Sequence, residues 1–140
     1  QGVKRNYAQA AHWYRKSAEQ GNADAQNNLG NMYFNGQGVI QNFFQAEYWY
    51  RKSAEQGVAD AQTRLGLMYV VGRGVIKNDQ LALFWFKKAA NQGDTNAQYA
   101  LGVTYEIVKD IPQAIYWYRK AAAQGHSLAE EAIRRFDYGY

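Results

Sequence analysis

The sequence predicts an all-α protein, a right-handed α–α superhelix of about eight antiparallel helices. Three observations carry that expectation. The four tryptophans, at 13, 49, 85 and 117, are spaced by 36, 36 and 32 residues. Further columns keep the same register, among them glycines 21, 57, 93 and 125, alanines 10, 46, 82 and 114, and the pairs Leu29-Gly30, Leu65-Gly66 and Leu101-Gly102. Within each period, two successive stretches carry apolar side chains at helical spacing.

The elements follow in order. Residues 1–20 form half a repeat: Gln1-Gly2-Val3 matches Gln37-Gly38-Val39, so a turn is expected at 1–3 and one helix before Gly21. Full repeats are expected at 21–56, 57–92 and 93–124, and a capping helix at 125–140. The first helix of a repeat runs from about Asn22 to Asn35. Its apolar face is Ala25, Leu29, Met32 and Tyr33, and Asp24 suits its positive end. Gly36-Gln37-Gly38-Val39, which returns as Gly72-Arg73-Gly74-Val75, breaks that helix and turns the chain back. The second helix places Ala46, Trp49, Tyr50, Ser53 and Ala54 on one face and ends before Gly57, a left-handed cap.

Small residues at Ala25, Gly30, Ser53 and Ala54 allow close approach of neighbouring helices, and the tryptophan fills the gap between layers. Neither helix can bury its face alone, so stacking supplies the core. The third turn is four residues shorter and gains Pro112, suited to the first turn of a helix. At the end, Ile133-Arg134 stands where Leu-Gly is expected and Asp137 where Tyr is expected, as in a cap. An opening on Gln1 without Met fits an excised or processed start, and the domain reads as one segment of a longer solenoid.

Composition narrows the function. The chain has 140 residues and 16% aromatics, enough for one domain with a core and too many for a disordered chain. It has no cysteine, which excludes disulfides, zinc–thiolate sites and cysteine nucleophiles. No apolar run approaches the roughly 18 residues needed to span a bilayer. A net charge of +4 is too mild to argue for nucleic acid by itself.

The string Ala-x-x-Trp-Tyr-Arg-Lys-Ser-Ala-Glu-Gln-Gly, followed by Ala-Asp-Ala-Gln-x-x-Leu-Gly-x-Met-Tyr and preceded by Gly-x-Gly-Val, resembles the Sel-one-like repeats, relatives of the tetratricopeptide repeats. The likeness covers nearly the whole chain, and its wording is similar to bacterial members. It implies a superhelix whose concave face binds proteins or peptides, as in adaptors of signalling, envelope and host-interaction systems. A cysteine-rich branch resembles β-lactamases and pairs its helices by disulfides; this chain has no cysteine and departs from that branch.

The candidate partner-binding face lies on the first helices, opposite the core. It comprises Asn27, Asn31, Phe34 and Asn35; then Thr63, Leu67, Val70 and Val71; then Tyr99, Val103 and Ile107, with Glu106 beside them. These positions vary while the core columns do not, and they turn apolar across two adjacent repeats, as a groove does. Tyr99 is the expected anchor. The competing reading is that the same residues pack on a neighbouring helix.

A basic ridge (Arg15-Lys16, Arg51-Lys52, Lys87-Lys88, Arg119-Lys120) allows a polyanion binder as an alternative function. Its place near helix C-termini, and Glu19 and Glu55 four residues after Arg15 and Arg51, read as helix stabilisation. Catalytic candidates are weak. His12 shares a surface column with Tyr48, Phe84 and Tyr116. His126 sits beside Ser127, the expected cap. No metal-ligand spacing, phosphate loop or cofactor motif is present. The expectation is a non-enzymatic adaptor; an envelope hydrolase or cell-wall-binding protein is the alternative from another class. Nucleic acid and a membrane span are not expected. Self-association is expected through His12, Trp13 and Tyr14, whose upstream side has no helix to cover it.

Overall fold

The computed structural model describes the backbone of residues 2–139 and the side chains of residues 2 and 6–139. Eight helices follow one another: α1 (Gly2–Glu19), α2 (Ala23–Asn35), α3 (Phe43–Glu55), α4 (Ala59–Val71), α5 (Asp79–Asn91), α6 (Thr95–Ile107), α7 (Ile111–Ala123) and α8 (Ser127–Asp137). The described residues contain no strand. Each helix packs on the next, and α4 also touches α6. Odd-numbered helices form one layer and α2, α4 and α6 the other.

Caps set the helix starts. Asn22, Asn42, Asn78, Asp94 and Asp110 each accept a hydrogen bond from the backbone N–H three residues on. That satisfies a donor which the helix itself leaves free. Val58, in the same column, offers no such bond to α4. Pro112 falls in the first turn of α7. Two turns depend on glycine. Gly36 and Gly72 close α2 and α4 in the left-handed region, at φ 67° and 78°. Gly38 and Gly74 lie against the backbone of the preceding odd helix: a Cβ on Gly38 would clash with the Tyr7 carbonyl oxygen inside α1, and one on Gly74 would stand 2.8 Å from that of Phe43 at the start of α3.

That contact explains one departure from the sequence expectation. Gly2 and Val3 are not in a turn; α1 is helical from Gly2, while Gln1 lies outside the described residues. A Cβ on Gly2 would meet nothing within 4 Å, whereas Gly38 and Gly74 each lie on a helix backbone. Five extra residues continue the helix: α1 has 18 residues and α3 has 13.

The core is layered as the tryptophan spacing requires. Trp49 packs on Ala18, Ala25 and Leu29 of the preceding layer. Trp85 repeats this in a cluster with the corresponding Ala54, Ala61 and Leu65. Trp13 has no such layer beneath it and is 65% exposed, against 6% for Trp49. Between these layers, each Leu-Gly glycine faces an aromatic ring of the following helix: Gly30 under Tyr50, Gly66 under Phe86 and Gly102 under Tyr118. Arg134, the last member of that column, is exposed.

A ladder of glutamines ties the layers by hydrogen bonds. Gln26, Gln62 and Gln98 are buried. Each donates to a backbone carbonyl eight residues earlier: Ala18, Ala54 and Ala90. Their own carbonyls accept from Gln56, Gln92 and Gln124, which follow the second helix of the same repeat. Both ends of each buried amide are thus satisfied, as burial demands.

Candidate functional face

The side chains expected to form the partner-binding face divide into three groups. Asn27 and Thr63 are buried, at 9% and 6% exposure, and belong to the packing between helices rather than to an open surface. Asn27 donates from Nδ2 to Asp60 Oδ2 at 2.9 Å, joining α2 to α4. Thr63 donates back to the Ala59 carbonyl, one turn earlier in its own helix. Their position at the edge of the helical face, next to the buried Gln26 and Gln62, is the reason.

Leu67 and Val71 are open, at 46% and 62% exposure, as are Ile107 and Asn35. Asn31, Phe34, Val70, Tyr99, Val103 and Glu106 are half-buried. Tyr99 stacks on His126, with ring centroids 4.5 Å apart and planes at 16°, and tilts against Tyr118. The ring expected to be the free anchor is therefore committed in part to α8. Glu106 likewise accepts from Tyr118 and pairs with Arg135 at 2.9 Å. The Arg135 guanidinium holds its carboxyl below the usual carboxylate range.

Three of the expected residues converge. Phe34 of α2 and Leu67 and Val71 of α4 line a pocket of about 170 Å³. Its floor is the buried Tyr50 ring and Met68. Arg64 and Arg73, both exposed, complete it. A polar network runs beside it. Asp60 accepts from Asn27 and pairs with Arg64 Nε at 2.9 Å, and the Tyr50 hydroxyl donates to Asn31 Oδ1 at 2.6 Å. Burial pushes the Tyr50 phenol up to about 12, partly offset by Arg64. The Arg73 guanidinium lies over the rings of Phe43 and Phe34, at 5.2 and 6.0 Å from their centroids. Sequence reasoning did not single out Arg64 or Arg73. The available signal was that neither residue recurs: their counterparts are Asn28 and Ala100, and Gln37.

The basic ridge lies on the other layer and is occupied locally. Lys52, Lys88 and Lys120 sit over Tyr48, Phe84 and Tyr116, four residues earlier, at 5.2 to 5.3 Å. Arg51 pairs with Glu47 at 2.8 Å, one turn before it, and not with Glu55. Arg15 hydrogen-bonds the Tyr33 hydroxyl rather than Glu19. The cap of α8 also differs from expectation: His126 Nδ1, not Ser127, accepts from Ala129 N, at 3.3 Å. His12 is exposed in its surface column. Among the described residues, no group of three or more His, Asp or Glu could hold a metal ion, and no helix is long and apolar enough to cross a membrane.

Comparison with known proteins places this architecture. The pattern of the Sel1 repeat matches four segments, residues 1–22, 23–58, 59–94 and 95–126. Among solved structures, the chain is similar to a protective antigen present in uropathogenic Escherichia coli strains that displays an SLR fold. The identity is 39% and the TM-score 0.92, over 96% of this chain and 30% of that one. It is also similar to a Sel1 repeat protein from Oxalobacter formigenes, at 38% identity and TM-score 0.84, over 90% of this chain and 54% of that one. The chain thus spans under a third and about half of the lengths of these two proteins. No curated protein matches.

Proposed function

The chain belongs to the Sel1 repeat family, and from that premise we propose that it is a protein-interaction scaffold holding a partner protein or peptide against the row formed by α2, α4 and α6. Proteins of this family are generally scaffolds for protein–protein contact. The observation that carries the reading to this face is the pocket where Phe34, Leu67 and Val71 meet. Open apolar side chains on a folded surface mark contact sites, and these come from two repeats at positions that vary. Val103, Ile107 and the accessible edge of Tyr99 extend the surface along α6, and Asn31 and Asn35 extend it along α2. Both similar structures are bacterial proteins, which supports a bacterial setting.

The scaffold acts by binding, without chemistry of its own. Its histidines serve as a cap and a surface side chain, and its Asp60 and Glu106 carboxylates are held by arginines. The uncovered Trp13, with His12 and Tyr14, forms a second contact surface for a further repeat or a second copy.

Affinity capture with mass spectrometry tests the docking face. The bait is used as wild type, as Leu67→Arg with Val71→Arg, and as Lys52→Ala with Lys88→Ala. The groove pair removes the specific partner and the lysine pair retains it. Retention by the groove pair and loss by the lysine pair assigns binding to the basic ridge instead. Steep salt dependence accompanies that outcome.

A further inference from the structure

We infer that the pocket between α2 and α4 accepts one large apolar side chain of an acidic peptide, with a neighbouring Asp or Glu of that peptide on the Arg73 guanidinium. The inference rests on the docking face proposed above and names the chemistry of what docks. A volume of about 170 Å³ suits one side chain, since a cavity of about 150 Å³ already holds a benzene ring. The buried Tyr50 and Met68 give that side chain an apolar floor, and the open Leu67 and Val71 form its walls.

Charge complementarity selects the neighbour. Arg64 is already paired with Asp60, whereas Arg73 makes no ion pair among the described residues. Its guanidinium is spread over the Phe34 and Phe43 rings. A guanidinium stacked on a ring keeps its in-plane N–H donors available, and those donors match a carboxylate. Its backbone N–H is bonded to the Met68 carbonyl at 3.0 Å and its guanidinium rests on the two rings, so the cation is placed before any ligand arrives. The combination also occurs once. Gln37 stands where Arg73 does in the first full repeat, and the shortened third turn has no counterpart. A device serving the fold alone would recur with the repeat, as the glutamine ladder does.

An array of N-acetylated, C-amidated nonapeptides tests this, with a central Phe, Leu or Ala flanked by Glu, Gln or Lys, followed by fluorescence anisotropy on the best binders. Peptides with central Phe or Leu beside Glu bind. Replacing Glu by Gln weakens them about tenfold, the scale of one hydrogen bond to a charged group. Arg73→Gln abolishes the preference for Glu over Gln and keeps that for Phe over Ala. Any of three results overturns the inference: no binding by any peptide, equal binding of Glu and Gln peptides, or a Glu preference that survives Arg73→Gln. An apolar preference without an acidic one overturns it while leaving the docking face standing. Failure of the docking face itself is read separately, as retention of the captured partner by the Leu67→Arg, Val71→Arg bait.

Discussion

Gly66 of α4 lies beneath the ring of Phe86 on α5, so close that a Cβ at position 66 would stand 2.6 Å from ring carbons Cδ1 and Cε1. No side chain fits without moving the ring, and Phe86 is fully buried in the core. Gly66→Ala is expected to destabilise by about 1–3 kcal/mol, the usual range for overpacking, and Gly66→Arg by more. Arg134→Gly, in the same column but exposed, is expected to change stability by no more than about 1 kcal/mol, the helix-propensity scale for glycine. Chemical denaturation of these variants checks the contrast. Equal losses at 66 and 134 count against it.

This pair also marks how far the sequence is legible. The Leu-Gly column stands out by spacing alone, and so does its role in close packing. The opposing ring does not, because periodicity defines a face of one helix and says nothing of which neighbour meets it. The same limit accounts for Asn27 and Thr63. Both lie at the margin of the variable face, where a rotation of one position separates groove from interior. Their partners also differ: Asp60, 33 residues away, for Asn27, and the local Ala59 carbonyl for Thr63. The turn expected at Gly2 and Val3 rests on a motif whose geometry depends on an underlying helix, as Gly38 depends on α1.

The glutamine ladder gives a second expectation. Gln62 is buried and bonded at both ends, to the Ala54 carbonyl and to Gln92 Nε2. Gln62→Ala removes both bonds, leaving the Ala54 carbonyl only its backbone donor Gly57 N–H, and is expected to cost about 1–3 kcal/mol, the scale of two hydrogen bonds. Gln92→Ala is expected to cost less, because Gln92 is exposed and water replaces its bonds. Thermal melts of the two variants check the order.

The tryptophan column is not uniform in energy. Trp49→Ala empties a packed layer and is expected to lose about 3–5 kcal/mol. Trp13→Ala, at a mostly exposed site, is expected to lose about 0.5 kcal/mol or less. Urea titrations followed by circular dichroism check the pair. A similar loss at both sites counts against the layering.

Tyr50 sets an alkaline limit. Its folded phenol is pushed up to about 12 by burial, from an ordinary value of 10. A group raised on folding contributes stability that is complete below its unfolded value and lost as pH rises through the folded one. Stability is therefore expected to fall between pH 10 and about 12 as the unfolded state releases its proton. Tyr50→Phe is expected to give up about 1 kcal/mol at neutral pH with the Asn31 bond, and to show a shallower alkaline decline. Denaturation midpoints across that range check the slope.

The central claim is that binding belongs to the α2–α4–α6 face. Isothermal titration calorimetry with the captured partner measures it most directly, on Leu67→Ala, Val71→Ala, Lys52→Ala and Lys88→Ala. Leu67→Ala and Val71→Ala are each expected to weaken binding by about 1–3 kcal/mol, with helical content unchanged, and the lysine variants to bind as wild type. Loss of binding in the lysine variants, with the Leu67 and Val71 variants unaffected, contradicts the account.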